Sequence, residues 1–127
     1  MIGRVTSLSA GAIIRDILLR SEKVGTVKIY PIVQDEAVLP YIVYRRMSLL
    51  HDPSKALCGA DTVQIEILCL DADYTRSVEL AEGVRSALEY AQGEKDGLRL
   101  RSCTLTDSEE YWQDDAYVQR LVFNVKL

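Results

Sequence analysis

Two prolines, Pro31 and Pro40, restrict how this chain can pair its strands more than any other feature of the sequence. Residues 29–44 are IYPIVQDEAVLPYIVY, two runs of β-branched and aromatic residues separated by a short acidic interruption. Because proline has no backbone N–H to donate to a sheet, it is tolerated at the first residue of a strand, at an edge or at a bulge. We therefore expect Pro31 to close one strand and Pro40 to open the next, and the two strands to form a β-hairpin near a sheet edge.

The spacing of apolar residues elsewhere predicts two helices and three more strands. One helix is expected over residues 9–22, and a second helix from the N-cap Asp73 to about residue 91, ended by Gly93. Strict alternation in residues 61–71, DTVQIEILCLD, predicts a central strand with one buried face. A final hairpin is expected from GLRLRSCTLTD and AYVQRLVFNVKL, joined by the acidic and aromatic link SEEYWQDD.

Together these elements predict an α+β domain that comprises residues 1–127. The order α-β-β-β-α-β-β favours a mainly antiparallel sheet of about four to five strands with two helices packed on one face. The other face would be partly bare, and bare faces and open strand edges invite association with another subunit. Residues 49–60, LLHDPSKALCGA, show no regular period and are expected to form a long connection that contacts a partner.

Charge and composition limit the classes of partner. The chain has 15 Lys and Arg residues against 19 Asp and Glu residues, a net charge of −4, so we expect no sequence-specific nucleic acid partner. Arg4, Arg15 and Asp16 interrupt the apolar N-terminal patch, so no membrane partner is expected. The three widely spaced cysteines are predicted to be free thiols in a reducing compartment.

Few residue combinations in the sequence are typical of catalysis. Asp71 and Asp73 are candidate metal ligands, but a helix N-cap is the favoured role of Asp73. His51 is the only histidine, so a nucleophile activated by an imidazole would have to use it. We expect it to be a solvated residue of the long connection, beside Asp52. The sequence therefore predicts no catalytic, cofactor-binding or metal-binding residues.

The expected contact residues are basic and aromatic side chains near the ends of strands and in the connections. Arg99, Arg101 and Arg120 could line up on one face of the last hairpin, either as a contact surface or as a solvated face with cross-strand pairs. Tyr111 and Trp112 either contact a partner or fold back over the core. The full set of predicted interface residues is Arg45, Arg46, His51, Lys55, Arg99, Arg101, Tyr111, Trp112 and Arg120.

The order of these segments resembles a known family. IYPIV followed by LPYIVY, the strand TVQIEILC ending in DADY, the helix SVELAEGVRSALE and the final YVQRLVFNVKL are similar to the small tail-completion, or tail-terminator, proteins of long-tailed bacteriophages and prophages. The resemblance covers about the whole chain. The segments LLHDPSKALCGA and SEEYWQDD differ from other members in length and composition.

This resemblance implies a structural role in the virion. Such proteins form a ring, usually of six subunits, on the head-proximal end of the tail tube, where they stop its growth and present a joining surface to the head. The implied partners are further copies of the chain, the tail tube protein and the head–tail connector protein. The implied location is the bacterial host cytoplasm during assembly and the tail of the virion afterwards.

Two other hypotheses remain open at this point. One is a small α+β enzyme that depends on a metal ion or on His51. This hypothesis predicts substrate turnover that requires Mn²⁺, Mg²⁺, Zn²⁺ or the imidazole of His51. The other is an intracellular adaptor that pairs through its sheet edge.

Overall fold

Two helices and seven strands form the part of the chain that the computed structural model describes, residues 5–32, 37–53 and 60–127. The helices are α1 (Ala10–Arg20), which follows a 3₁₀ turn at Ser7–Ser9, and α2 (Tyr74–Leu88). The strands are β1 (Lys28–Pro31), β2 (Tyr41–Asp52), β3 (Ala60–Asp71), β4 (Gly93–Lys95), β5 (Leu98–Leu100), β6 (Ser102–Gln113) and β7 (Ala116–Lys126). A five-stranded sheet has the order β1-β2-β3-β7-β6, and β4 and β5 form a second, two-stranded sheet. The predicted α+β class is confirmed.

The hydrophobic core lies between the two helices and one face of the large sheet. The predicted alternation in β3 is confirmed, because Val63, Ile65, Ile67 and Cys69 are fully buried in the core while intervening side chains point to the other face. The core members on β7 and the helices are Leu121, Phe123, Val125, Ala10, Ile13, Ile14, Leu18, Leu80, Val84 and Leu88. As predicted, β3 is the central strand of the five.

The two prolines mark strand boundaries as predicted, but the strands that they bound do not form a hairpin. Pro31 is the last residue of β1, and Pro40, whose preceding peptide bond is cis, directly precedes β2. β1 lies at the sheet edge and pairs with β2 in parallel, with Lys28 opposite Tyr41. The hairpin prediction was wrong because a hairpin joins antiparallel strands, whereas β1 and β2 run in the same direction. Residues 33–36, between the two strands, lie outside the described residues.

The predicted long connection at 49–60 is much shorter, because β2 continues to Asp52. Leu49 pairs with Val63 and His51 pairs with Asp61 in the antiparallel β2–β3 ladder. A register shift between Arg46 and Ser48 changes which side chains face the core. The alternation of apolar and polar residues is interrupted there, so the sequence pattern did not predict the full length of the strand. Residues 54–59, which include Lys55 and Cys58, lie outside the described residues.

The last hairpin is also built differently from the prediction. The expected strand over 97–107 is broken at Arg101, so its first part belongs to the small β4–β5 sheet and its second part begins β6. β6 extends to Gln113, and the turn contains only Asp114 and Asp115, with φ values of 52° and 61°. Two consecutive positive φ values are typical of the tight turns that fit the twist of a hairpin, and aspartate tolerates them.

The predicted start of the second helix is confirmed, but its predicted end is not. Asp73 is the N-cap of α2, and its Oδ2 accepts a hydrogen bond from the backbone N–H of Arg76 at 3.0 Å. α2 ends at Leu88 rather than near residue 91, and Gly93 begins β4 instead of ending the helix.

Candidate interaction surfaces

The large sheet is covered by helices on one side only, and we call the opposite side the open face. Its centre is formed by alternate residues of β2, β3 and β7 that lie outside the hydrophobic core. Val43, Val118 and Val122 on this face are each less than 8% exposed, because neighbouring side chains cover them. The open face therefore combines a partly apolar floor with the charged groups described next.

A carboxylate bound by two arginines occupies the middle of the open face. Glu66 on β3 accepts a hydrogen bond from Nε of Arg45 at 2.8 Å and another from Nε of Arg120 at 2.7 Å. Burial acts to raise the pKa of Glu66, but the hydrogen bonds from both arginines outweigh it, and the net shift is downward. Nη1 of Arg120 also lies 3.5 Å from Asp107 and 3.8 Å from Glu109 on β6. The network thus joins four neighbouring strands.

An apolar hollow of about 300 Å³ lies on the same face, nearer the β6–β7 turn. Ala37 and Leu39, which precede β2, form one side of it. The other lining residues are mostly apolar and come from four strands and the β6–β7 turn: Tyr41, Leu68, Leu70, Tyr111, Gln113, Asp114, Ala116 and Val118. Ala37 and Leu39 therefore lie beside this end of the open face.

The two lateral edges of the large sheet carry opposite charge. At one edge β6 presents twelve residues, and its exposed side chains include Asp107, Glu109 and Glu110. At the other edge β1 pairs only with the first four residues of β2, so among described strands the stretch from Arg45 onward has no partner on its outer side. Arg45 and Arg46 begin that stretch and are exposed.

Tyr111 and Trp112 point to opposite faces of the sheet, so they do not act as a pair. Tyr111 is half-buried in the wall of the apolar hollow, which agrees with the alternative that it folds over its own domain. Trp112 lies on the helix side, is 55% exposed, and has its ring centroid 4.7 Å from that of Tyr117.

The remaining predicted residues are dispersed. His51 lies on β2 rather than in a loop, and its Nδ1 contacts Oδ1 of Asp61. Hydrogen bonds from Ser7 and His51 lower the pKa of Asp61. The predicted alignment of Arg99 and Arg101 with Arg120 was wrong, because the break in the strand places Arg99 on β5 and Arg101 between β5 and β6.

The groups considered for chemistry have structural partners. Asp71 Oδ1 accepts a hydrogen bond from the backbone N–H of Asp73 at 2.9 Å, so the two aspartates organise the start of α2. Within residues 5–32, 37–53 and 60–127, no three His, Cys, Asp or Glu side chains are grouped to hold a metal ion. Burial raises the pKa of the Cys103 thiol to about 12 and that of Cys69 further, so neither thiol is a reactive nucleophile.

Sequence reasoning missed three residues that organise these surfaces. Glu66 is an acidic residue between two apolar residues, Ile65 and Ile67, and that contrast was the available signal. Tyr74 and Glu110 are 36 positions apart and are joined by hydrogen bonds of 2.9 and 3.0 Å. Nothing in the local sequence of either segment indicates that contact.

Comparison with known proteins identifies the class. The family model for Tail completion protein gp17 matches residues 14–127, so the chain belongs to this family and has a structural role in a phage tail. The resemblance noted from the sequence is confirmed.

A solved structure shares the fold over nearly the whole chain. A chain in "Virion of native gene transfer agent (GTA) particle" superposes with a TM-score of 0.78 at 18% sequence identity, covering 95% of this chain and 98% of that chain. No curated protein is significantly similar in sequence. Neither helix of the described residues is long and apolar enough to span a membrane.

Proposed function

We propose that the protein closes the head-proximal end of the tail tube as a hexameric ring, ends tube growth and forms the surface that joins tail to head. Its partners are other copies of the chain, the tail tube protein and the head–tail connector protein. Residues 1–127 act as one unit that assembles in the host cytoplasm and remains in the virion. Membership of the tail completion family supports this proposal.

The one-sided covering of the large sheet is the observation that carries the proposal. Tube subunits add through repeated head-to-tail contacts that do not close, so growth continues until a different subunit occupies the end. Such a subunit must fit the tube on one surface and differ from it on another. A sheet with two helices on one face, and a charged network beside an apolar hollow on the other, has two unlike surfaces of this kind.

The lateral edges support a ring of identical subunits. A contact between two different edges of the same chain is heterologous, and it forms a closed ring when the rotation between neighbours closes. The exposed acids Asp107 and Glu109 on β6 complement the exposed Arg45 and Arg46 on β2. Strand addition between these edges would supply main-chain hydrogen bonds, and the charges would fix which edges meet.

Electron microscopy of mixtures with tail tubes tests the proposal. Tubes are assembled from the tail tube protein of the same phage, incubated with the tail completion protein and imaged. Tubes without added tail completion protein are the reference. A six-fold ring at one end of each tube supports the proposal. Binding along the tube wall, or no binding at saturating protein, contradicts it.

A further inference from the structure

An aromatic notch lies near the β6–β7 turn, on the helix side of the sheet and away from the open face. We define it by Tyr74, Glu110, Trp112, Tyr117 and Gln119, which together with Tyr111 line a cavity of about 250 Å³. Tyr74 is the first residue of α2, and the other four residues belong to the paired ends of β6 and β7. The helix and the hairpin therefore form opposite sides of the notch.

Three aromatic rings form the notch at steep angles to one another. The ring centroids of Tyr74 and Tyr117 are 5.5 Å apart with an interplanar angle of 75°, and those of Trp112 and Tyr117 are 4.7 Å apart at 69°. The face of an aromatic ring carries partial negative charge and attracts a cation within about 6 Å of its centroid. An arrangement of three such rings is suited to an organic cation.

Glu110 adds a full negative charge to this environment. Its carboxylate accepts hydrogen bonds from the hydroxyl of Tyr74 at 2.9 and 3.0 Å and from Nε2 of Gln119 at 2.9 Å. The bonds from Gln119 and then Tyr74 lower the pKa of Glu110, so it is ionised at neutral pH. No ion pair among the described residues includes Glu110. Within the described part of the chain, its hydrogen-bond donors are the neutral side chains of Tyr74 and Gln119.

The two outer aromatic side chains remain accessible in the isolated chain. Trp112 is 55% exposed and Tyr74 is 45% exposed, although both carry large apolar surfaces. Trp and Tyr in such positions frequently dominate the binding energy of protein interfaces. The cross-strand contact of Trp112 with Tyr117 is an edge-to-face contact between two rings. It does not explain why Glu110 has no cationic partner among the described residues.

We propose that the aromatic notch binds the guanidinium or ammonium group of a basic side chain that a protein partner presents. The cation would contact the ring faces of Tyr74 and Trp112 and form an ion pair with Glu110. Charge complementarity selects Arg or Lys over a neutral side chain of similar shape, because only the cation interacts favourably with both the carboxylate and the rings. Glu110 and Trp112 of this site belong to the edge strand β6, but their side chains lie on the helix side of the sheet. Binding of a free ligand there does not require a ring.

Trp112 provides a direct readout because it is the only tryptophan in the chain. Purified protein is titrated with Nα-acetyl-arginine amide, and the same titration is done with Nα-acetyl-citrulline amide, which is nearly isosteric but uncharged. The expected result is a saturable change in Trp112 fluorescence in the millimolar range with the arginine compound, at least about fivefold weaker with citrulline. Equal responses to both compounds, or no response to either, would overturn the proposal.

Two conservative variants locate the effect. Glu110→Gln keeps the side-chain shape but removes the charge, and it should weaken arginine binding at least about threefold. Glu109→Gln removes a charge from the adjacent residue, whose side chain points to the open face towards Arg120, and it should leave binding within about a factor of 1.5. Circular dichroism confirms that both variants fold, and equal weakening by the two variants would contradict a specific role of Glu110.

Discussion

Glu66 and Arg120 form a hydrogen-bonded ion pair of 2.7 Å between β3 and β7, on the face of the sheet that the helices leave uncovered. The side chains are only 10% and 18% exposed, so this pair is more shielded from water than an ordinary surface ion pair. Arg45 on β2 binds the other oxygen of the same carboxylate at 2.8 Å. One acidic residue therefore fixes the positions of two arginines on neighbouring strands.

Removal of this charge should destabilise the fold. Glu66→Gln removes the negative charge and leaves a single acceptor oxygen for the two arginines, so the free energy of unfolding in urea should fall by about 1–3 kcal/mol. Glu109→Gln is the matched control, because that side chain is 59% exposed and lies 3.8 Å from Arg120. The control should change stability by less than about 1 kcal/mol, as exposed pairs do. Equal effects of both substitutions would show that Glu66 has no special role.

The Glu66 contribution should depend on pH in a defined direction. The pKa of Glu66 in the folded protein is lowered from an ordinary value of 4.5, so the ionised form is stabilised by folding. Its contribution is fully present above that ordinary pKa and is lost as the pH falls through the lower folded value. The stability difference between wild type and Glu66→Gln should be constant from pH 7 to about 5.5 and shrink in more acidic solution. A difference that grows on acidification would refute this assignment.

Gly83 should resist substitution although it lies inside a helix. A Cβ at this position would lie 3.0 Å from the carbonyl oxygen of Lys23, so α2 packs closely against the segment that follows α1. Gly83→Ala should lower the free energy of unfolding by about 1–3 kcal/mol, despite the gain of about 1 kcal/mol that alanine normally gives a helix.

Gly11 supplies the comparison for that measurement. A Cβ there would lie 3.0 Å from Cε2 of Tyr44, which is a side-chain atom that can shift. Gly11→Ala should therefore remain within about 1 kcal/mol of wild type in the same urea titration. If Gly83→Ala is the more stable of the two variants, the close backbone contact does not limit this position.

Exchange of charges between the two sheet edges should reveal the ring contact. Arg46→Glu and Glu109→Lys each place like charges at the proposed β2–β6 contact, and each should reduce ring formation on tubes about tenfold. The double variant restores opposite charges and should recover most of the loss. Arg99→Glu is the control, because Arg99 is exposed on β5 outside the large sheet. If the double variant loses ring formation by the product of the two single effects, β2 and β6 do not contact each other in the ring.

Local sequence features predicted the elements but not how they meet. Pro31 and Pro40 marked strand ends correctly because the missing N–H acts within one or two residues. The parallel pairing of β1 with β2 depends on the path of residues 32–40, which residue type does not determine. Register shifts at Arg46/Ser48 and Leu105/Asp107 break the two-residue period, and so they concealed the lengths of β2 and β6.

The candidate surfaces were harder to predict, because they depend on contacts between distant segments. Basic residues exposed along the chain were recognisable, but Arg120 is bound to Glu66, 54 positions away, and is not part of an arginine surface. The notch joins Tyr74 to Glu110 through the packing of α2 against the hairpin. Hydrophobic periodicity describes which side of an element is buried, and it contains no information on these polar contacts.

Growth of pre-formed tubes tests the capping role most directly. Short tubes are first incubated with the tail completion protein, and fluorescently labelled tube subunits are then added. Microscopy measures the labelled length that grows at each end of each tube. Our account predicts that the protein-bound end adds no labelled subunits while the opposite end is unaffected. Continued addition of labelled subunits beyond the bound protein would contradict it.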